Sequence, residues 1–488
     1  MVIESLKYKI LQQFGFAPTQ EQGQALDTFV SFLTDRDPQA VMILRGSAGT
    51  GKTSLSGAIV RTLLQIRQKV MLLAPTGRAA KVFSLGSGAP AYTIHRRIYR
   101  EKAFAGVDGQ FSLNDNLYTD TLFMVDEASM IANMGLGGTT FGSGCLLDDL
   151  VKFVYQGHND RLLLIGDKAQ LPPVGEEESP ALSASVMEGY GLKVYECDLN
   201  EVLRQSQSSG ILYNATLIRQ MITHDAVTGL PLIRFKGFAD IVMMPGAELV
   251  ESLGDSYHHV GMDETMVITR SNKRANIYNN GIRNMVLDRE EELSSGDMLM
   301  IVKNNYFWTE KEKKESGEGS AGAVPAFLAN GDRAKVLRVS NYIELYGFRF
   351  ATLQLQLPDY DDYEMQVTGM LDTLQSEAPA LTYEQQEELF RQVEEDYQHF
   401  VPLKADRMKS IRQDAYFNAL QIKYAYAVTC HKAQGGQWAH VYVDQGYMTD
   451  DMLTPDYIHW LYTAFTRATD KLFLVNWPKE QTCEPTDL

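Results

Sequence analysis

The sequence contains no long uncharged apolar stretch. No window reaches the roughly 18 apolar residues that a membrane-spanning helix needs, so no membrane partner is expected. The opening residues, MVIESLKYKI, mix charged and apolar side chains and do not resemble a secretory signal. Only four cysteines occur and no two form a C-x-x-C pair, which argues against a zinc site or a disulfide framework. Together these absences predict a cytoplasmic protein under reducing conditions.

Basic residues are also few compared with acidic ones, and the formal net charge is therefore −17. Such a balance is unusual for a protein that binds nucleic acid. However, twelve carboxylates and a single basic residue lie between Asp359 and Asp396, so the rest of the chain is only mildly acidic. A basic channel elsewhere is therefore compatible with the composition. The 488 residues exceed what one core usually holds, and several domains are expected.

The segment from Val41 to Thr53, VMILRGSAGTGKT, dominates the remaining signals. A short apolar run predicts a buried strand, and Lys52 opens a helix with apolar residues at helical spacing. Between them lies the phosphate-loop pattern G-x-x-x-x-G-K-[ST]. Lys52 would reach the phosphates of ATP and the Thr53 hydroxyl would ligate Mg²⁺. The residues expected to bind ATP in this segment are Gly46, Ser47, Ala48, Gly49, Thr50, Gly51, Lys52 and Thr53.

Two further predicted strands end in residues that suit ATP hydrolysis. After TLFMV, Asp126 would hold Mg²⁺ through water, and Glu127 would orient and deprotonate the attacking water. After RLLLIG, the amide of Gln170 can contact both a γ-phosphate and that water. Upstream, Gln22 has two interpretations. It either completes a helix capping box with Thr19 or reads the edge of the adenine base.

Two β-rich segments interrupt this pattern. Residues Lys102 to Asn114 alternate about Asp108-Gly109, a dipeptide typical of a tight turn, and predict a hairpin with Phe104 and Phe111 flanking the turn. Short strands with Gly-Asp turns, from Ser295 onward, predict a small antiparallel barrel.

Eight segments, in this order, resemble the motifs of superfamily 1 helicases that move 5′ to 3′, particularly the RecD-like and Dda-like branch. They are GSAGTGKT, APTGRAA, TIHR, VDEAS, GDKAQLPPV, LNEVLRQ, VTCHKAQGG and TAFTRA. The resemblance implies an α/β fold with two RecA-like P-loop NTPase domains. A β-hairpin is inserted in the first and an SH3-like β-barrel in the second. The expected boundaries are 1–198 with a hairpin at about 100–120, 199–295 with 425–488, and 296–424 for the barrel and an acidic helical segment.

The same resemblance assigns residue roles. Arg204 and Arg467 would be arginine fingers, Gln22 would read adenine, and Gln170 would couple the γ-phosphate to DNA. The residues expected to contact DNA are Pro75, Thr76, His95, Arg96, Thr429, His431 and Lys432. The hairpin lies where this branch has a strand-separating pin, so Phe104 and Phe111 either meet a base pair at the fork or pack onto the first domain. Cys430, Ala433 and Gly436 replace the more usual Val, Ser and Ser, which leaves hydroxyl contacts of that motif in doubt.

The implied function is an ATP- and Mg²⁺-dependent DNA helicase, a monomer that moves 5′ to 3′ on single-stranded DNA and at single-strand/duplex junctions. Repair, recombination or replication would be its setting, with single-strand-binding, repair or replication proteins as candidate partners. A first alternative is a DNA-stimulated ATPase that translocates and remodels protein–DNA complexes without unwinding. A P-loop kinase or GTPase is disfavoured by the paired motor halves and by the lack of an N-K-x-D run.

Overall fold

The computed structural model describes residues 2–105, 108–134, 142–201, 208–223, 229–316, 325, 327–448 and 452–483. Its strands are β1 Ala40–Gly46, β2 Lys69–Ala74, β3 Ala91–Thr93, β4 Tyr99–Ala105, β5 Asp108–Leu113, β6 Thr121–Val125, β7 Arg161–Gly166, β8 Lys193–Leu199, β9 Ile241–Met244, β10 Thr265–Thr269, β11 Met298–Ile301, β12 Arg333–Leu345, β13 Phe348–Leu357, β14 Tyr363–Met370, β15 Leu420–Tyr424, β16 Ala427–Thr429, β17 Trp438–Asp444 and β18 Ala468–Val475.

Its helices are α1 Val2–Phe14, α2 Gln20–Leu33, α3 Lys52–Gln65, α4 Gly77–Ser87, α5 Ile94–Ile98, α6 Leu146–Gln156, α7 Ala184–Gly189, α8 Gly210–Thr223, α9 Leu249–His259, α10 Asn272–Gly281, α11 Phe307–Ser316, α12 Tyr383–Gln398, α13 Lys404–Arg412, α14 Cys430–Ala433 and α15 Pro455–Phe465. Among the described residues, none of these helices has the length and apolar character required to cross a bilayer.

By its internal packing the chain divides into two compact units, Met1–Gly246 with Ala433–Leu488, and Ala247–Lys432. The three-part division expected from the sequence remains a prediction.

The first unit is built on a six-stranded parallel sheet of order β3-β2-β6-β7-β1-β8. Its central strands are apolar and buried on both faces, as parallel sheets require. Along β1, Met42 and Leu44 join a core with α1, α2 and α3, whereas Val41 and Ile43 join a core with α5 and α6. Because all six strands are parallel, the loops after β1, β2, β6 and β7 meet at one edge of the sheet.

The hairpin is formed by β4 and β5, which pair antiparallel. Ala105 lies opposite Asp108 and Phe104 opposite Gly109. Asp108 and Gly109 are therefore the first residues of β5, and the expected turn at this dipeptide is wrong. The strand pairing begins directly at Asp108, and residues 106–107 lie outside the described residues. Phe111 is half-buried and packs against the core of the six-stranded sheet, and the Phe104 side chain is not among those described.

The first unit also contains β17, β18 and β9, which pair in parallel, with α8 and α15 in contact with each other. In the second unit, β10 pairs in parallel with β16, and β11 to β15 form a closed barrel. The expected fold class is thereby confirmed, including the hairpin and the barrel insertion.

The acidic segment forms α12, which begins with a capping box between Thr382 and Gln385. Leu389 and Val393 are buried against the barrel residue Phe350. The helix ends at Gln398, and the Phe400 side chain is 82% exposed.

Candidate active site

The loop between β1 and α3 has the conformation of a phosphate loop. Gly49 and Gly51 adopt positive φ angles of 77° and 82°, which side chains rarely tolerate. The Lys52 Nζ atom donates to the carbonyl oxygens of Gly46 at 2.5 Å and Ser47 at 3.0 Å. At Gly46, an added Cβ atom would lie 2.8 Å from the Lys52 Cγ atom. The sequence pattern thus folds into a loop that wraps around the lysine that should reach the phosphates.

Gln22 is buried beside this loop. Its Oε1 atom accepts from the Thr19 backbone at 3.0 Å, which completes the capping box, and its Nε2 atom donates to the Thr50 carbonyl at 2.9 Å. The capping interpretation is therefore observed, and contact with Thr50 also fixes Gln22 next to the phosphate loop. The adenine-reading role stays a prediction.

Asp126 and Glu127 follow β6 at the same edge of the sheet. The Asp126 Oδ1 atom accepts from the Glu127 backbone at 2.9 Å, and Glu127 has a φ of 51°, an uncommon left-handed conformation for a residue with a side chain. Burial raises the pKa of Asp126 to about 7, the Glu127 charge acts in the same direction, and Lys52 opposes both. This strained carboxylate pair is the kind of feature that clusters at functional sites.

The residues fit a Mg²⁺ ion. A divalent cation would offset the cost of burying the Asp126 carboxylate, and magnesium usually needs only one or two carboxylates besides phosphate oxygens and water. Over the described residues, no group of three or more His, Cys, Asp or Glu side chains could hold a metal ion. Thr53 is exposed at the start of α3. Its hydroxyl would be the second protein oxygen available to Mg²⁺, besides the Asp126 carboxylate.

Three of the expected catalytic residues form one hydrogen-bonded chain. With the Gln170 amide oriented to satisfy both neighbours, its nitrogen donates to Glu127 Oε2 at 3.3 Å and its oxygen accepts from Arg467 Nη2 at 3.2 Å. Arg467 is buried and also donates to the carbonyl oxygens of Thr463 at 3.0 Å and Gly436 at 3.1 Å. Arg204 lies outside the described residues.

Helix α15 also binds the phosphate loop directly, which the sequence did not reveal. The Tyr462 hydroxyl donates to Asp167 Oδ2 at 2.7 Å and accepts from the Ala48 backbone at 3.0 Å. Burial raises the pKa of Tyr462 well above its usual range. On the same helix, the Thr463 hydroxyl accepts from the Leu171 backbone at 2.8 Å. The sequence signal that could have revealed these contacts is the set of polar residues at helical spacing in the otherwise apolar helix α15.

Arg219 of α8 is a second contact that sequence reasoning missed, since it donates from Nη1 to the Ser47 hydroxyl. A single arginine in a helix gives no sequence signal of such a role.

Two family models match the chain. Residues 17–229 match the AAA domain model and residues 424–475 match the UvrD-like helicase C-terminal domain model. The ATP-dependent RecD2 DNA helicase of Deinococcus radiodurans is 30% identical over 157 residues, and the ATP-dependent DNA helicase dda of Enterobacteria phage T4 is 25% identical over 267 residues. Over the two matched segments the chain is similar to superfamily 1 helicases. The resemblance expected from its motifs is confirmed.

These matches to the RecD2 and dda helicases cover 32% and 53% of this chain, and 18% and 55% of the relatives' own length. An uncharacterized protein of Acanthamoeba polyphaga mimivirus, R530, is 22% identical over 507 residues, 90% of this chain and 96% of that protein. Among solved structures, a Bacteroides Pif1 helicase in complex with ADP-AlF3 and single-stranded DNA has a TM-score of 0.46 and 13% identity, covering 96% of this chain and 95% of that one.

The residues expected to contact DNA fall in both units. In the first, Pro75 and Thr76 follow β2, and the Thr76 hydroxyl caps α4 by accepting from Ala79 at 3.2 Å. Burial lowers the pKa of His95 to about 4, so its ring is neutral at physiological pH and adds no positive charge. Arg96 is exposed, with its guanidinium 5.0 Å from the Tyr92 ring centre.

In the second unit, Thr429 is half-buried at the end of β16 and His431 is exposed. The Lys432 ammonium donates to the Asn330 side chain on the loop before β12. Burial lowers the pKa of Lys432 to about 8, and the charge of Lys423 acts in the same direction. An anion at this position would therefore stabilise the charged form of Lys432.

The departures from the usual motif at residues 430–436 have packing reasons. Cys430 and Ala433 are completely buried. At Gly436, an added Cβ atom would lie 2.5 Å from the Trp438 ring, so no serine fits there. The Arg78 guanidinium lies 4.8 Å from the centre of that ring and donates to the Gln437 carbonyl at 2.7 Å. At Gly436, the space of a serine side chain is taken by the Trp438 ring, which packs against Arg78 at the start of α4.

Proposed function

We propose that this protein is an ATP-dependent DNA helicase that moves 5′ to 3′ on single-stranded DNA. The hydrogen-bonded chain from Glu127 through Gln170 to Arg467 carries this proposal, because it joins the expected water-activating carboxylate to an expected arginine finger. The two relatives named as ATP-dependent DNA helicases support the same activity and substrate. The proposed 5′ to 3′ direction of movement rests only on the resemblance of the motifs to those of this helicase family.

Each residue has a proposed step in hydrolysis. Lys52 would exchange the carbonyl oxygens of Gly46 and Ser47 for phosphate oxygens, which are stronger acceptors for an ammonium group. Glu127 would take a proton from the water that attacks the γ-phosphorus, and ADP would leave on the opposite side. Thr53 and Asp126 would hold Mg²⁺, which neutralises charge on the β- and γ-oxygens. An arginine finger can contribute ~10³–10⁵ in rate. The rate of ATP hydrolysis would therefore depend on whether the Arg467 guanidinium reaches the γ-phosphate.

DNA binding would connect to this chemistry through Gln170, which lies in the loop after β7. The candidate contacts are Pro75, Thr76, Arg96, Thr429, His431 and Lys432, with the neutral His95 in a packing role. Single-stranded DNA and single-strand/duplex junctions are the proposed ligands of a monomeric enzyme in the cytoplasm. Single-strand-binding, repair or replication proteins are proposed partners, in repair, recombination or replication.

A second candidate function is translocation without strand separation. It is favoured by Phe111, which packs against the core of the first unit instead of standing free on the hairpin. The hairpin strand β5 is further attached there by a bond from the Gly142 backbone to the Phe111 carbonyl at 2.8 Å. Under this alternative, the protein would displace bound proteins from single strands.

ATP turnover with and without single-stranded DNA tests the proposal. We expect turnover to need Mg²⁺ and to rise strongly with DNA. Lys52→Ala should abolish it, and Glu127→Gln should bind ATP without hydrolysing it. Lys152→Ala is the control, because that lysine is exposed on α6 and bonds only locally to Asp148. Turnover that ignores DNA would contradict the proposal.

Duplexes with a 5′ or a 3′ single-stranded tail test direction and separate the two candidates. A helicase should separate only the 5′-tailed substrate, whereas the alternative predicts movement along single strands with both duplexes intact.

A further inference from the structure

Arg219 is a cation at the phosphate loop that none of the family motifs discussed above includes. It lies in the last part of α8, and its Nη1 atom donates to the hydroxyl of Ser47, the second residue of the GSAGTGKT loop. Ser47 is buried, with 7% of its surface exposed. The contact joins residues 172 positions apart in the sequence, so it results from the fold and not from local chain geometry.

Two cations meet at this one serine. The Lys52 ammonium donates to the Ser47 carbonyl at 3.0 Å, and the Arg219 guanidinium donates to the Ser47 hydroxyl. In a phosphate loop the lysine reaches the β- and γ-phosphates. A guanidinium held on the same residue as that ammonium is within reach of the same phosphates, since both side chains are long and flexible.

The neighbouring residue of the loop reinforces this placement. The Ala48 N–H group donates to Tyr462, and the positive charge of Arg219 acts on that phenol. Helices α8 and α15 contact each other, so Arg219 and Tyr462 approach the loop from packed neighbours.

A phosphate oxygen is a better partner for Arg219 than Ser47 is. A neutral hydroxyl accepts one ordinary hydrogen bond, whereas a phosphate accepts charge-assisted bonds that are roughly twice as strong and fit the fork of a guanidinium. Arg467 is a separate group, because it donates to the carbonyl oxygens of Thr463 and Gly436 and has no bond to the loop among the described contacts.

We propose that Arg219 is a further phosphate-binding residue, which leaves the Ser47 hydroxyl and binds the terminal phosphate of a bound nucleoside triphosphate. The inference rests on the proposed ATPase function and adds a specificity to it. Because ADP lacks the terminal phosphate, Arg219 should discriminate between ATP and ADP. The loop backbone and Lys52, in contrast, also bind the β-phosphate that both nucleotides share.

The test is the ratio of ADP to ATP dissociation constants, measured by calorimetry without DNA, with a non-hydrolysable ATP analogue in place of ATP. Arg219→Ala removes a hydrogen bond to a charged group. We therefore expect it to weaken binding of the analogue about 10- to 100-fold, with little change in ADP binding. Arg219→Lys keeps the charge without the fork and should give an intermediate ratio. Arg36→Ala controls for removal of one positive charge, since Arg36 is an exposed residue in the loop after α2.

Ser47→Ala separates phosphate binding from support of the loop. It removes the hydroxyl that Arg219 would leave on binding the terminal phosphate, so the analogue should bind at least as tightly as to the parent protein, and ADP binding should change little. If Arg219→Ala changes both nucleotides by the same factor, Arg219 only supports the loop and the inference is wrong. DNA-stimulated turnover by the parent protein shows in the same series that the proposed function stands even when the inference fails.

Discussion

The Tyr462 hydroxyl offers a strong test of how the motif helix α15 is attached to the phosphate loop. Tyr462→Phe keeps the ring and its packing but removes the atom that joins Asp167 Oδ2 at 2.7 Å to the Ala48 backbone at 3.0 Å. Asp167 and Tyr462 are both almost completely buried, so water cannot easily replace the lost partner.

The expected cost follows from these two bonds. A hydrogen bond to a charged group contributes ~1.5–3 kcal/mol, and a buried donor left unpaired costs ~1–3 kcal/mol. Partial relaxation reduces the sum, so we expect Tyr462→Phe to lower the free energy of unfolding by about 2–4 kcal/mol. Tyr155→Phe is the matched control, because its half-buried hydroxyl donates to a neutral acceptor, the Ala40 carbonyl, at 2.8 Å. That variant should lose only ~0.5–1.5 kcal/mol.

Urea unfolding followed by tryptophan fluorescence is a suitable assay, because Trp438, Trp460 and Trp477 all lie in the first unit. A double-mutant cycle with Asp167→Asn should give a coupling energy of about 1–2 kcal/mol, since the two residues share one bond. If Tyr462→Phe behaves like the Tyr155→Phe control and adds to Asp167→Asn without coupling, the hydroxyl does not connect α15 to the loop.

The hairpin and His95 give two further predictions. Phe111→Ala should lower stability by roughly 1–3 kcal/mol, less than a fully buried phenylalanine, and reduce all activities together. Phe104→Ala should leave ATP turnover intact and slow strand separation, and unwinding at the parent rate by both variants would exclude this hairpin as the separating element. For His95, whose pKa falls from 6.5 to about 4 on burial, the unfolded chain binds a proton that the folded chain does not. Stability should therefore decrease as pH drops from about 6.5 to about 4, and His95→Gln should flatten that slope in pH-dependent unfolding.

Much of the site was predictable because its residues follow strands directly. The phosphate loop after β1, the Asp126-Glu127 pair after β6 and Gln170 after β7 are each next to an apolar run that the sequence displays. Because the strands are parallel, the loops that follow them must lie at the same edge of the sheet, and this can be predicted from the strands alone. The sequence pattern could thus place Glu127 near Gln170, although the direct bond between them depends on side-chain geometry.

The rest depended on contacts between distant segments. Arg219 meets Ser47 across 172 residues and Tyr462 meets Ala48 across 414, and neither pair has a local pattern. The hairpin turn was misplaced for a different reason. Asp-Gly favours a turn, but cross-strand pairing of Ala105 with Asp108 determined the register.

The packed contact at Gly436 has a consequence for how related sequences can differ. A side chain at this position would need the volume that the Trp438 ring occupies, and Arg78 lies against the same ring. A homologue with serine at position 436 should therefore have a smaller residue than tryptophan at position 438. That smaller residue would no longer offer Arg78 an aromatic face. Among homologues, positions 78, 436 and 438 should change together or not at all, which an alignment deep enough to detect covariation can establish.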